Sequence, residues 1–369
     1  MRFPPFSLSP VCSFLVIFGM MAVTVWACSV PVFRYALEHW EADPFQAVVF
    51  HQGELTAEQK VRMEALVPDG ADGRRANLNV VAVNVDQEPG AEFKELWNQL
   101  PKDAPMPQVA LRFPCSTGLT EPFLTARLDE LAHVADSPAR QEVAERFAQG
   151  QSAVWVMVES GDEAADEAAA KVLEERLEYL TGVLTLPELE AQDIANGLVS
   201  VGQDDLRLEF SVVRVSREDV KEKVFVQMLL ATEPGLDEVD EPMVFPIFGR
   251  GRALYALVGQ GIRAETIEQA ATFLIGKCSC QVKDQNPGTD LLLTANWTAM
   301  AKASPLLERE LPSLAHLAEE AAPVTVMTEP VVEEVASPGK NALISGVISL
   351  GVLLVTILVA MKLLGKRRE

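Results

Sequence analysis

"PMVFPIFGRGRALYALVG", residues 242–259, sets two β-rich runs on either side of Gly249-Arg250-Gly251. Glycines between two such runs mark a hairpin turn, so residues 242–248 and 252–259 are read as paired strands. "RAETIEQAATFLIG" (263–276) follows with helical spacing. Upstream, "SAVWVMVES" (152–160) reads as a buried strand and "DEAADEAAAKVLEERLEYL" (162–180) as an alanine-rich helix. "DLRLEFSVVRVS" (205–216) reads as a strand. "REDVKEKVFVQMLLAT" (217–232) reads as a helix with Val220, Val224, Met228 and Leu229 on one side.

The same alternation occurs once before. "QAVVF" (46–50) is a short strand, and "TAEQKVRMEALV" (56–67) a helix with Thr56 placed to cap it. "LNVVAVNVD" (78–86) is a continuous apolar run that suits a buried strand. "AEFKELWNQL" (91–100) is helical, "PQVALRF" (107–113) and "PFLTARL" (122–128) are strands, and "RQEVAERFAQG" (140–150) closes the unit as a helix.

Strand, helix, strand, helix, then a proline-led strand, a tight turn, a strand and a last helix resembles the order of the thioredoxin fold. The resemblance covers about residues 44–150 and 151–280 and is strongest over 242–276. It implies an α/β protein with two tandem thioredoxin-like domains, each a central mixed sheet flanked by helices. The domains would span 28–150, with an N-terminal extension, and 151–300, with a return segment. In that family the proline entering the third core strand is usually cis and lies beside the active site. Pro107 and Pro242 hold the matching places and are candidate cis-prolines on that basis.

Thioredoxin chemistry needs Cys-x-x-Cys at the start of the first long helix, where the helix end lowers the thiol pKa. The matching stretches read "FHQGELTAEQ" (50–59) and "ESGDEAADE" (159–167), with no cysteine in either. The remaining thiols are Cys28, Cys115, Cys278 and Cys280, with Cys12 inside an N-terminal leader. Cys278 and Cys280, one residue apart, are candidates for a redox pair, for a soft-metal site, or for structural bonds to Cys28 and Cys115. His51 opens the first loop and reads as a capped loop histidine, while His39, His133 and His316 are scattered. No phosphate loop, dinucleotide fingerprint or nucleophile elbow is present, so no cofactor is expected. "DEAADE" and "DEVDE" (237–241) lack the ligand order of a calcium loop and read as solvated faces.

The ends carry location signals. Arg2, an apolar stretch from Val11 to Trp26 and small residues at Ala27 and Cys28 follow the order of a signal peptide, residues 1–27. Val25-Trp26-Ala27-Cys28 also resembles a bacterial lipobox, which makes Cys28 a candidate lipidation site, although Trp26 is bulkier than usual there. Residues 301–340 form an acidic, proline-spaced stalk, 341–362 a span whose uncharged core is 342–361, and 363–369 a basic tail. The positive flank predicts a single-pass protein of the bacterial inner membrane. Its folded part would lie outside the cytoplasm and its C-terminus inside.

The formal net charge of −22 argues against nucleic acid and anionic lipid surfaces as partners. The expected partners are the bilayer, through residues 342–361, and a membrane or periplasmic protein. The expected function is a membrane-anchored extracytoplasmic binding or scaffold protein on redox-inactive thioredoxin-like domains, more a binder than an enzyme. The alternative is a thiol–disulfide oxidoreductase or soft-metal chaperone acting through Cys278 and Cys280. Phe33, Tyr35, Leu37 and Trp40, in the segment before the first strand, are too apolar for a free tail; they are expected either to pack on the first unit, the favoured reading, or to meet a partner protein. The stretch "QVKDQNPGTDLLLTANW" (281–297) is expected to fold back on the second.

Overall fold

The computed structural model describes residues 28–302 apart from 68–69, 132–133 and 279–280. In chain order the first half comprises α1 (Val32–His39), β1 (Phe45–His51), α2 (Ala57–Glu64), β2 (Arg75–Ala76), β3 (Leu78–Asn84), α3 (Ala91–Gln99), β4 (Gln108–Arg112), β5 (Pro122–Arg127) and α4 (Pro138–Ala148). The second half comprises β6 (Ala153–Glu159), α5 (Glu163–Val183), α6 (Ala191–Ala195), β7 (Phe210–Ser216), α7 (Lys223–Leu230), β8 (Met243–Phe248), β9 (Arg252–Ala253), β10 (Leu257–Val258) and α8 (Ala264–Ile275). Then follow β11 (Thr289–Asp290), β12 (Thr294–Ala295) and α9 (Trp297–Lys302).

Two mixed sheets result. The first runs β3-β1-β4-β5, with β1 parallel to β3 and antiparallel to β4. The second runs β11-β9-β8-β6-β7, with β6 parallel to β7 and antiparallel to β8, and β10 also paired to β8. Strand alternation sends successive side chains to opposite faces. Phe45, Ala47 and Val49 of β1 therefore join Val154, Val156 and Val158 of β6 in one buried cluster with α4 and α7. The other face of the first sheet, Val48 and Phe50, packs on Leu96 of α3. The other face of the second, Ala153, Trp155 and Met157, packs on α1, α5 and α8. The two sheets thus share one central apolar layer.

The ends of the chain complete that arrangement. Leu291, Leu292 and Leu293 are fully buried in the shared layer. On either side of them β11 pairs with β9 of the second sheet and β12 with β2 of the first half. The return segment therefore joins both halves, where the apolar run alone suggested only the second. The N-terminal segment goes to the second sheet rather than the first. Pro31 bridges Lys277, Val32 N donates to Gly276 O at 2.9 Å, and Trp40 packs edge-on against Phe248. Buried polar groups tie the same layers together. Ser137 Oγ and Ala139 N, at the start of α4, donate to the Glu222 carboxylate at 2.6 and 2.8 Å. The buried Arg140 guanidinium donates to Val134 O and Leu292 O at 2.7 and 3.3 Å. Burial pulls its pKa down to about 10 against the raising influence of Asp136 and Glu222, so it stays charged at neutral pH.

Local expectations shift at two helices. Thr56 caps α2 reciprocally with Gln59, yet α2 buries none of its own residues and Val61 is exposed. The helix expected over 217–232 begins at Lys223, and Val220 is 85% exposed. Asp219 accepts the Lys221 N–H at 2.9 Å, and such local side-chain bonds compete with a helical turn.

The expected fold class is corrected in its membrane part. Mixed sheets flanked by helices are present, but among the described residues no helix is long and apolar enough to cross a membrane. The longest helix among the described residues, α5 at 21 residues, mixes alanine with glutamate, lysine and arginine. The expected span 342–361, the signal peptide 1–27, the stalk and the tail lie outside the described residues. The single-pass topology, the inner-membrane location and the bilayer partner have no support in any described helix and are not carried further.

Candidate functional site

The glycine turn that opened the sequence reading is pinched from two sides. Gly249 and Gly251 have φ of +59° and +87°, the left-handed region that glycine alone enters without strain. A Cβ on Gly249 would lie 2.7 Å from the Ala36 Cβ, and one on Gly251 2.5 Å from the Leu293 Cδ1. Both glycines are thus needed for α1 and the return segment to close on the turn.

Arg250 stands between them. Its Nε donates to Leu37 O at 2.8 Å and its Nη2 to Glu38 O at 3.0 Å. These are last-turn carbonyls of α1, where the partial negative charge of a helix end favours a cation. The Glu38 carboxylate itself is engaged by Arg34 at 2.6 Å and by Ser200 N at 2.7 Å. Arg250 is held by backbone oxygens, and among the described residues no carboxylate forms an ion pair with it.

Arg250 lines a cleft of about 420 Å³ with Gly73, Arg75, Ala295, Asn296, Trp297 and Thr298. Arg75 enters it because β2 pairs with β12, Arg75 opposite Ala295. It is exposed, and it too has no ion pair among the described residues. Asn296 is held by its own bonds, donating to Asp72 O at 3.2 Å and accepting the Ala299 N–H at 3.0 Å. Trp297 is half-buried, its ring 6.3 Å from that of Phe147. The lining holds two guanidinium groups, an amide, an indole and a hydroxyl. It has no carboxylate, histidine or cysteine, hence no general base and no thiol nucleophile.

The residues singled out from sequence lie elsewhere. Cys28 and Cys278 are buried in one apolar cluster with Tyr35. Burial pushes the Cys28 thiol up, with Asp193 and Glu190 adding to the rise against a backbone hydrogen bond from Val30. A thiol held protonated in this way is a poor nucleophile. Cys115 is exposed, and no disulfide joins Cys28, Cys115 and Cys278 to one another. Cys280 lies outside the described residues. Among the described residues no group of three or more His, Cys, Asp or Glu could hold a metal ion. The thiol-exchange and soft-metal reading is corrected accordingly. His51 is accounted for by a 2.9 Å contact between its Nδ1 and Gly53 O. Of the two prolines, only Pro107 follows a cis peptide bond.

A second polar cluster sits where β9, β11 and the segment before β1 meet. Lys283 Nζ lies 2.7 Å from Asp43 Oδ1, 2.7 Å from Asp290 Oδ2 and 2.7 Å from Glu41 O. Arg252 pairs with Asp290 at 2.9 Å and donates to Asn286 O and Pro287 O. Asp43 also accepts from Ser116 Oγ. Each cation here already faces a carboxylate, so the cluster is a clasp rather than a receptor.

The fold and cleft define an α/β protein with mixed sheets and a basic cleft. Compared with protein-family models, curated proteins and solved structures, the chain matches none. The thioredoxin-like resemblance, drawn from element order, therefore finds no support. The binding or scaffold role built on such domains is withdrawn with it. Sequence reading missed the arginine cleft. The one local signal was an arginine flanked by two glycines, which reads equally as an ordinary hairpin turn.

Proposed function

We infer that the protein binds a small organic anion, a carboxylate or phosphate attached to a flat apolar group, in the cleft at the glycine turn. One observation carries this reading: two guanidinium groups without carboxylate partners among the described residues share a cleft in a chain of net charge −22. Most other described arginines face a carboxylate, as Arg252 does, and Arg112 and Arg207, which do not, lie outside this cleft. Guanidinium forks suit carboxylate and phosphate oxygens, Asn296 adds amide hydrogen bonding, and Trp297 offers apolar surface. The lining holds no general base to activate the Thr298 hydroxyl, which favours binding over turnover.

The test is calorimetric titration of the whole chain with phenyl phosphate, benzoate and inorganic phosphate at physiological salt. Saturable binding is expected, tighter for phenyl phosphate than for inorganic phosphate. Arg75→Ala should weaken it by roughly tenfold, the scale of one lost charge-assisted hydrogen bond. Binding that is equal in Arg75→Ala and in the unaltered chain, or no saturation with any of the three probes, overturns the reading.

A further inference from the structure

Strand β7 is the outer strand of the second sheet, paired to β6 on one side only. It is seven residues long, a row of unpaired backbone donors and acceptors that a second chain can extend. Val213 and Val215 face the shared core, while Phe210 and Val212 stay half-buried on the opposite face. There they form a groove of about 400 Å³ with Glu174, Leu177, Glu178 and Thr181 of α5 and with Ser211. The floor is apolar. The wall carries two exposed carboxylates, Glu174 and Glu178, neither of which forms an ion pair among the described residues.

The other edge strands are less suited. β5 begins at Pro122 and its pairing to β4 shifts register between Leu111 and Arg112, both features that discourage strand addition. β11, the opposite edge of the same sheet, is only two residues long. Two copies of β7 meeting edge to edge would bring four unpaired glutamates together, which opposes self-association.

We propose that β7 and the α5 groove receive an extended basic peptide segment of a partner protein as an added strand. Backbone hydrogen bonds to β7 would hold the segment. Alternate short apolar side chains would rest on Leu177, Phe210 and Val212, and its lysines or arginines would meet Glu174 and Glu178. This surface shares no residue with the arginine cleft, so the two readings stand or fall separately.

The probe is an acetylated and amidated heptapeptide of alternating lysine and valine, titrated into the whole chain at physiological salt. Two companions control it: the same peptide with every backbone amide N-methylated, and a glutamate–valine counterpart. The parent peptide should bind, the N-methylated analogue roughly tenfold more weakly, and the acidic counterpart not at all. Glu174→Gln with Glu178→Gln should weaken the parent by roughly tenfold. The equal charge change Glu92→Gln with Glu95→Gln, on α3, should leave it unaltered. Thermal midpoints of both double variants should match the unaltered protein, which separates lost binding from lost folding. The proposal is overturned by equal binding of the N-methylated analogue, by equal loss in the α3 control, or by no binding below about 1 mM. A dimer whose formation depends on Glu174 and Glu178 would overturn it too.

Discussion

The molecule holds two clusters of positive side chains that use charge in opposite ways. In the clasp, Lys283 and Arg252 are matched by Asp43 and Asp290, and a single aspartate, Asp290, serves both cations. In the cleft, Arg250 is held by two backbone carbonyls and Arg75 by strand pairing alone. The difference separates charge spent on folding from charge left for a ligand. A cation already satisfied by a buried carboxylate gains little from a second anion. One anchored by neutral oxygens keeps most of its attraction.

The sharpest way to break that contrast is Asp290→Ala. Asp290 is 5% exposed and its loss leaves Arg252 and Lys283 without their shared partner. Removing one side of a buried ion pair costs about 3 kcal/mol, measured by urea unfolding. A loss below about 0.5 kcal/mol would show that the clasp does not hold the return segment. Next is Gly251→Ala, which forces a side chain into a positive-φ position 2.5 Å from Leu293. Strain and overpacking together should cost about 2 kcal/mol and weaken anion binding as well, because Arg250 moves with the turn.

Acid gives a finer measure. Burial alone would raise the Asp43 carboxyl, but hydrogen bonds from Lys283 and Ser116 and the charges of Lys283 and Arg252 outweigh it and hold it below its ordinary value. A carboxyl lowered in the folded state adds stability that is complete above the unfolded value of about 3.9. That share is lost as pH falls through the folded value. The stability difference between the unaltered chain and Asp43→Asn should therefore shrink as urea titrations move from neutral pH to below about 3. A difference that stays constant over that range would remove Asp43 from the clasp.

The smallest expected effect on stability is Arg75→Ala, within about 0.5 kcal/mol, as for an exposed residue without a charge partner. Its effect on phenyl phosphate affinity should be about tenfold. A stability loss comparable to that of Asp290→Ala would erase the distinction between the two clusters.

Much of the local structure was legible. β6 shows in "SAVWVMVES", α5 in its alanine and glutamate periodicity, α2 in the Thr56 cap, and the β8–β9 turn in Gly249-Arg250-Gly251. Each rests on spacing or turn chemistry within a dozen residues. The resemblance to thioredoxin-like proteins went further than that, since it extended element order into a family. The cleft was not legible at all. Its two arginines are 175 positions apart by residue number, Arg75 and Arg250, and nothing local to either announces the other.

Local sequence by itself determined the alternation of strands and helices and the place of the glycine turn. Propensity and periodicity act over one or two turns of chain. Only the tertiary structure decided that the two sheets share a core, that α1 packs on the second sheet, and that Leu291 to Leu293 join both halves. It also decided which arginines stay without a carboxylate. Those outcomes depend on β-pairing and burial between segments more than 200 residues apart, as between Arg75 and Ala295 or Pro31 and Lys277. Such pairings are chosen by the sum of contacts each alternative buries, a quantity no single stretch of sequence contains.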